Sequence, residues 1–478
     1  MVTGRTCDGY AVIVQPREAL SLTWKPPVTV VGMVLSTLPH DEKPWGLGLL
    51  CLDAFRSQVI SALFDDPSRR LERLILQALN QESCVRHAAV ALTAHQLQAS
   101  SRWPAGGNGD GATNFGLNSY SLSIRDLRKL LLRPPDRHAA EVALVCALLG
   151  ICYELAQGAY NGARLHLENG LRVCSSLSVD DDIFHEFARL DVQGSTFIEG
   201  WVPRLTPLLP TNTTAAADND DDDYDGDGVR FDSLETAQRY LYACLSRLWS
   251  FLRGTLDNSH RYWNPDDRPP HIANQSRNLV ARLQRWELIY DEFVSRLDRF
   301  PNTYTQAHSN LLRIHHQTAQ VYLATALSPD ELCYDDHDDS FRLIVSLSRS
   351  LLHHRQSHAI PTLFSLGLGV VQPLFFTATR CRNLWVRDEA IELLSAVPCT
   401  EGVWNAPAMT KIAAVVKDLE ERDLDRAFLE QHRIPEAKRV HSTSTDIDPR
   451  RRSSEVRCTR LPSGRTGAWE HHFFQVCW

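Results

Sequence analysis

The sequence predicts an all-α fold, an irregular multi-helix bundle with a short C-terminal β-hairpin. Apolar residues recur at helical spacing through most of the 478 residues. Strand-like stretches are few and lie near the two ends of the chain. The hydrophobic fraction of 43% and the charged fraction of 23% are those of an ordinary globular protein, which excludes wholesale disorder, collagen and a coiled-coil rod. The length corresponds to roughly three domain equivalents, but helical folds of this size often pack as one body.

In chain order, Tyr10 to Val14 is a short β-capable piece. Leu71, Leu74, Ile75, Ala78 and Leu79 fall at i, i+3, i+4, i+7 and i+8, the spacing of one helix face. Asp66 is placed to cap that helix, and Pro67 suits its first turn because its missing N–H would have no partner there. Arg102 to Ala112 is a Gly-rich, mobile insert. Val142 to Cys152 and Leu311 to Leu327 are apolar nearly all round, so both belong to central helices covered on several sides. Thr211 to Gly228 holds almost nothing apolar and is expected to be a disordered loop, because burial cannot offset its ordering entropy. Two further one-sided stripes follow, Leu241, Cys244, Leu245, Leu248, Phe251 and Leu252, then Ile412, Val415, Val416 and Leu419. About a dozen helices are expected over residues 45–200 and 230–430. Val456 to Thr459 and Trp469 to Val476 form the hairpin, around Pro462, Ser463, Gly464 and Gly467. The domain division is then 1–40, 41–435 for the helical body with its acidic loop 211–228, and 436–478 for a basic linker and the hairpin.

The net charge of −8 is nearly accounted for by the aspartates between Asp218 and Asp227, so the rest of the chain is close to neutral. No basic face able to grip phosphates shows in these totals, which argues against nucleic-acid binding as the dominant activity. The 12 cysteines lie one at a time and Met1 to Leu20 lacks an apolar signal core, so an intracellular protein with reduced thiols is expected. The longest apolar run, Val142 to Cys152, is shorter than the roughly 20 residues that cross a bilayer, and no membrane partner is expected.

Candidate chemistry is thin. Asp221, Asp223, Asp225, Gly226 and Asp232 mimic a calcium loop, but its eighth position is Gly228 and its twelfth an aspartate in place of the bidentate glutamate, so a solvated acidic linker is the better reading. His354 and His358 stand one helical turn apart, as two zinc ligands would, but Arg355 takes the place of a metalloprotease glutamate. They read as histidines ending a helix. His315 and His316 are adjacent, point to different faces and read as structural. No nucleophile elbow, phosphate loop, dinucleotide fingerprint or C-x-x-C pair is present, so no enzyme, no catalytic residue and no cofactor site is expected.

Several stretches, taken in order, resemble the fungal-specific transcription-factor regulatory domain that accompanies a binuclear zinc-cluster DNA-binding module. They are Glu82-Ser83-Cys84-Val85-Arg86-His87-Ala88, the pair of helices around Gln157-Gly158 and ending at Leu171, and Phe187-Ala188-Arg189-Leu190-Asp191-Val192-Gln193. Leu311 to Ser328, Pro373 to Arg382, Glu401-Gly402-Val403-Trp404 and the terminal Trp469-Glu470-His471-His472 follow in the same order. The resemblance covers Asp41 to Trp478 and implies an all-helical regulatory and dimerisation body that modulates transcription, with a like or unlike subunit and coregulators as partners. Within it, Arg86 and His87 are expected to be half-buried hydrogen-bonding residues, and Arg189 and Asp191, two apart, each need a partner on a different side of the helix.

Gly4-Arg5-Thr6-Cys7-Asp8-Gly9-Tyr10 is similar to the last residues of the family's zinc cluster, with Cys7 at the place of its sixth cysteine. Two zinc ions need six thiolates, so Cys7 alone holds none, and zinc enters only if the other five lie upstream. The alternatives are an isolated free cysteine and a regulator without its DNA reader, in other words a helical interaction scaffold or corepressor-like protein. DNA contact is therefore expected only indirectly or through an N-terminal module. Lys438 and Arg439, separated by ten residues from Arg450, Arg451 and Arg452, have the spacing of a bipartite nuclear import signal on a polar extended linker, and the nucleus is the expected location. A solvated basic turn is the competing reading.

Overall fold

The computed structural model describes residues 45–64, 69–103, 110–132, 136–207, 229–256, 268–297, 303–357, 364–397, 399–449, 451–464 and 467–478. Tyr10 to Val14, Cys7, Asp66, Pro67, the tract 211–228, His358 and Arg450 lie outside them.

The first half of the chain folds as α1 (Trp45–Ala54), a π-helical turn (Phe55–Val59), α2 (Ile60–Leu63), α3 (Arg70–Gln81), α4 (Ser83–Ala99), α5 (Asp110–Leu131), α6 (Arg137–Ala156), α7 (Tyr160–Ser176) and α8 (Asp181–Phe197). The stripe Leu71, Ile75 and Leu79 of α3 is buried as its spacing requires. The insert expected over Arg102 to Ala112 is shorter than that, because Asp110, Gly111 and Ala112 already turn into α5. Gly46–Leu63 and Arg137–Ala156 both have the length and apolarity to cross a bilayer. The second is α6, which lies inside the protein, enclosed chiefly by α4, α5 and α7, with α3 and α8 completing the wall. Its start is fixed by Asp136, whose carboxylate accepts the Ala139 N–H at 2.6 Å.

The second half continues with α9 (Leu234–Ser250), α10 (Pro270–Leu297), α11 (Thr303–Thr325), α12 (Asp338–Ser357), β1 (Phe364–Ser365), α13 (Val371–Arg380), α14 (Leu384–Ala396), β2 (Thr400–Glu401), β3 (Trp404–Asn405), α15 (Ala406–Glu421), α16 (Arg426–Gln431), β4 (Val440–Asp448), β5 (Ser453–Arg460) and β6 (Glu470–Cys477). The expected hairpin is there as β5 and β6, paired antiparallel from Ser453↔Cys477 to Arg460↔Glu470. A third strand joins it. β4, whose residues were expected to be a polar linker, runs antiparallel to β5 on its other side. The sheet lies on α15.

Among the described residues two apolar cores result. The first gathers α1 to α8 with Trp201 and Leu205, and the second runs from α9 to the terminal sheet. The helix α8 divides them, with Ile183, Phe187 and Leu190 in the first and Val192 in the second. A helix buried on both sides cannot send its polar residues to water, so each must be satisfied internally. Arg189 and Glu186 form a two-point ion pair at 2.5 and 3.1 Å. Asp191 accepts from the Trp201 indole at 2.8 Å and from the amides of Arg204 and Leu205 at 2.5 and 2.8 Å. Gln193 donates to the Leu366 carbonyl at 3.3 Å. The halves are also joined where Phe364 and Leu366, from the second half, enter the first core, with the Leu366 N–H bonded to the Leu63 carbonyl at 2.8 Å.

Candidate functional site

The heads of α8 and α9 meet near the start of α3 around an open cleft of about 520 Å³. Each helix is begun by its own cap, Asp180 accepting the Asp182 N–H at 2.9 Å and Ser233 accepting the Thr236 N–H at 3.1 Å. First-turn acids follow, Asp181 and Asp182 on α8 and Glu235 on α9, where the positive ends of the helix dipoles favour them. Arg239, one turn further along α9, gathers all three carboxylates: Asp182 at 2.5 Å, Glu235 at 2.8 Å, and Asp181. Arg70 reaches Glu235 only at 3.9 Å and stays largely in solvent. Asp232 on the rim accepts the Thr236 hydroxyl at 2.6 Å, which holds its carboxyl below the usual range. Burial raises Asp182 against the pull of Arg239. Burial likewise lowers His185, whose Nδ1 meets the Asp181 carbonyl at 2.7 Å, so that imidazole is neutral at neutral pH. Phe184 supplies an aromatic wall, and a crevice of about 70 Å³ continues the cleft toward the Arg189–Glu186 pair. The volume lies in the range of small-molecule sites, and the lining offers charge and hydrogen bonds to a polar guest.

A second charged centre is closed. Glu331, Arg382, Arg387, Glu420 and Arg439 are essentially without solvent contact. Arg382 meets Glu420 at 2.7 Å and Glu331 at 3.4 Å, Arg380 meets Glu331 at 2.6 Å, and Arg387 completes the pairing of Glu420. Burial alone would raise the Glu420 carboxyl, but Arg382 and Arg387 outweigh it and bring it down to about 2. The same carboxylate accepts the Val440 N–H at 2.7 Å, while Arg380 donates to the Val440 and His441 carbonyls at 2.9 and 3.0 Å. The network thus fastens the beginning of β4 to α13, α14 and α15.

Arg439 belongs to that network. Its guanidinium holds Asp335 at 2.6 and 2.9 Å and donates to the carbonyls of Ile434 and Glu331, both at 2.8 Å. Lys438 donates to the Arg422 carbonyl at 2.5 Å. Of the predicted import residues, Arg451 and Arg452 are exposed beside the β4–β5 turn. The first basic pair is therefore engaged within the fold, and all of the ten-residue linker but Pro449 is strand β4.

The structural histidines behave as their spacing requires. His315 contacts the Leu368 carbonyl at 3.0 Å, and His316 contacts the Leu283 carbonyl at 2.9 Å while stacking on Trp286. Arg86 closes the end of α3 by donating to the carbonyls of Leu79 and Asn80, and His87 faces Asp126 at 3.4 Å, both half-buried as expected. Among the described residues no group of three or more His, Cys, Asp or Glu side chains is placed to hold a metal ion. The cleft itself escaped the sequence reading. Its signals were the capping run Asp180-Asp181-Asp182 and the Glu235–Arg239 pair at i, i+4, both ordinary features of surface helices.

Residues 50–416 match the family described as "Fungal specific transcription factor domain", a span that includes the first core, the helix between the two and most of the second, but not the terminal sheet. Along 558 aligned positions the chain is 23% identical to the aspercryptin biosynthesis cluster-specific transcription regulator of Emericella nidulans, covering 92% of this chain and 87% of that protein. No solved structure matches the chain.

Proposed function

We propose, from the premise that this chain belongs to the fungal specific transcription factor domain family, that it is a transcriptional regulator of a set of biosynthetic genes. The observation that supports this most is the extent of the likeness: the family match runs over residues 50–416 and the regulator from Emericella nidulans is similar across almost the whole chain. In this reading the helical body receives a like subunit, a coregulator or a small polar effector, and transmits its state to DNA-bound machinery. The cleft at the heads of α8 and α9 is the place for the effector, because it opens to solvent, is lined by charged groups and adjoins the helix shared by both cores. DNA itself is read by an N-terminal zinc module of which Cys7 is the last ligand, or by a partner. The protein works in the nucleus without a reaction of its own, and import rests on Arg450, Arg451 and Arg452.

Deleting the gene in its host and sequencing transcripts tests the reading. A coordinated fall or rise in a contiguous group of biosynthetic genes is expected. An unchanged transcriptome under conditions where the protein is made would refute it. For import, Arg450, Arg451 and Arg452 replaced together by alanine in a fluorescently tagged chain should leave the nucleus, whereas Arg439→Ala should disturb folding first.

A further inference from the structure

A second cavity, of about 280 Å³, lies where both halves of the chain meet the terminal sheet. The corner between α6 and α7 forms one wall, β2, β3 and the head of α15 a second, and the β4–β5 turn with Trp478 the third. The turn can approach the corner because Gly158 lies beneath it. That glycine has φ +68°, and a Cβ there would collide with the Pro449 ring. The Trp478 N–H donates to the Arg452 carbonyl at 3.0 Å and fastens the turn to the end of β6.

Among the described residues of the lining, only Arg452 carries a charged side chain. Its guanidinium has no ion pair or hydrogen bond there, because Asp448, the acid of the same turn, pairs with Arg451 at 3.6 Å. Two hydroxyl groups have protons to give. The Thr400 hydroxyl accepts from the Asn405 amide at 3.2 Å, which leaves its own proton free. Burial pushes the Tyr160 hydroxyl up to about 12, so it remains a donor at neutral pH. The heads of α7 and α15 add potential of the same sign, and Ala159 at the head of α7 has no side chain able to cap it. The rings of Tyr160 and Trp478 and Pro407 make up the apolar part. A guest that matches this lining carries one negative charge on an apolar body. The parallel N–H groups of a guanidinium fit a carboxylate in particular.

We propose that this cavity binds a small organic monocarboxylate, held by Arg452 and backed by the rings of Tyr160 and Trp478. The site is separate from the cleft at the heads of α8 and α9, and it stands whether or not that cleft receives an effector. Its walls come from both halves of the body and from the sheet, so a bound acid ties together segments that are distant in the chain.

Isothermal titration calorimetry of the full chain with phenylacetate tests it. Saturable binding with a dissociation constant of about 1 mM or lower is expected, and the neutral phenylacetamide should bind roughly tenfold more weakly or worse. Arg452→Gln should raise the constant for phenylacetate roughly tenfold or more. Arg451→Gln removes the same charge from the neighbouring residue, outside the lining, and should change the constant by less than about twofold. Both positions are exposed, so the thermal midpoint without ligand should stay at the parent's value. The absence of saturable binding up to about 20 mM overturns the site. Binding that Arg452→Gln leaves unchanged overturns it as well, because the acid then sits elsewhere. An equal loss with Arg451→Gln assigns the effect to the charge of the whole turn and removes Arg452 from its place. Phenylacetamide binding as tightly as phenylacetate reduces the cavity to an apolar crevice, and inorganic phosphate binding as tightly reduces it to a bare-anion site. Either result overturns the organic acid.

Discussion

Arg239 and Arg382 each hold more than one carboxylate, but they do so in opposite surroundings. Around Arg239 the side chain of Asp181 is 72% exposed while those of Arg239, Asp182 and Glu235 keep only 18–22% exposure, so water reaches one edge of the group, whereas the side chains of Arg382, Glu331 and Glu420 have no solvent contact at all. An exposed ion pair contributes little because solvent competes for both partners, about 1 kcal/mol or less. A buried pair recovers a desolvation cost of several kcal/mol per ion, and removing one member leaves the other stranded. The same chemistry thus gives a rearrangeable lining at the cleft and a fixed joint beneath β4. The first can exchange partners with a guest, while the second can only be made or broken.

The sharpest way to break this contrast is Glu420→Ala, which leaves Arg382 and Arg387 facing each other in the core. It should cost about 3–5 kcal/mol in urea unfolding, or prevent soluble folding altogether. Acid titration sharpens it next. Glu420 has a folded pKa of about 2 against an ordinary 4.5, so its contribution is complete above pH 4.5 and is lost as pH falls toward 2. His166 acts in a higher window, because burial lowers it from 6.5 to about 4, and the neutral imidazole must charge when the chain unfolds. Its contribution is complete above pH 6.5 and is lost as pH falls toward 4. Unfolding midpoints measured from pH 7 to 3 should therefore fall in two stages, and His166→Gln should make the upper one shallower, with the other buried histidines still contributing to it, while sparing the lower. Arg239→Ala comes third, with a loss of about 1–2 kcal/mol in the same urea assay, because Asp182 and Glu235 lose their cation while Asp181 can turn to water. A cost equal to that of Glu420→Ala would mean that the cleft is a structural joint too. Asp232→Asn should be the mildest change, within about 0.5 kcal/mol, because Asp232 is exposed and the asparagine still accepts from Thr236.

Much of the body was readable because burial leaves a mark on composition. The all-apolar runs in α6 and α11 could only be interior helices, and the stripe of α3 could only be one-sided. The motif from Phe187 to Gln193 likewise announced that Arg189 and Asp191 needed partners on different sides of one helix. What it could not announce was that both sides are core, since that depends on Leu366 arriving from 173 residues away. β4 was missed for a related reason. Ser442, Thr443, Ser444 and Thr445 carry no apolar alternation, and the strand exists because β5 supplies its ladder and Glu420 and Arg380 anchor its first residues. Arg439 was misread by the same local view: lysine, arginine and a polar run look solvated until Asp335, 104 residues earlier, is placed beside the guanidinium. The cleft left a fainter trace still, because acids at helix heads and an i, i+4 ion pair occur on many surfaces that bind nothing.

The segment around β1 has a consequence in time. Phe364 and Leu366 fill part of the first core, but they are synthesised long after Leu205, the last of its earlier members. At about 5–20 residues per second a ribosome needs roughly 8–30 s to cover that interval. Throughout it the emerging N-terminal half carries an open apolar slot beside Leu63, and Gln193 lacks the carbonyl that will later satisfy it. The nascent chain thus passes through a stage with an unclosed apolar seam, which the second half closes when Phe364 and Leu366 arrive.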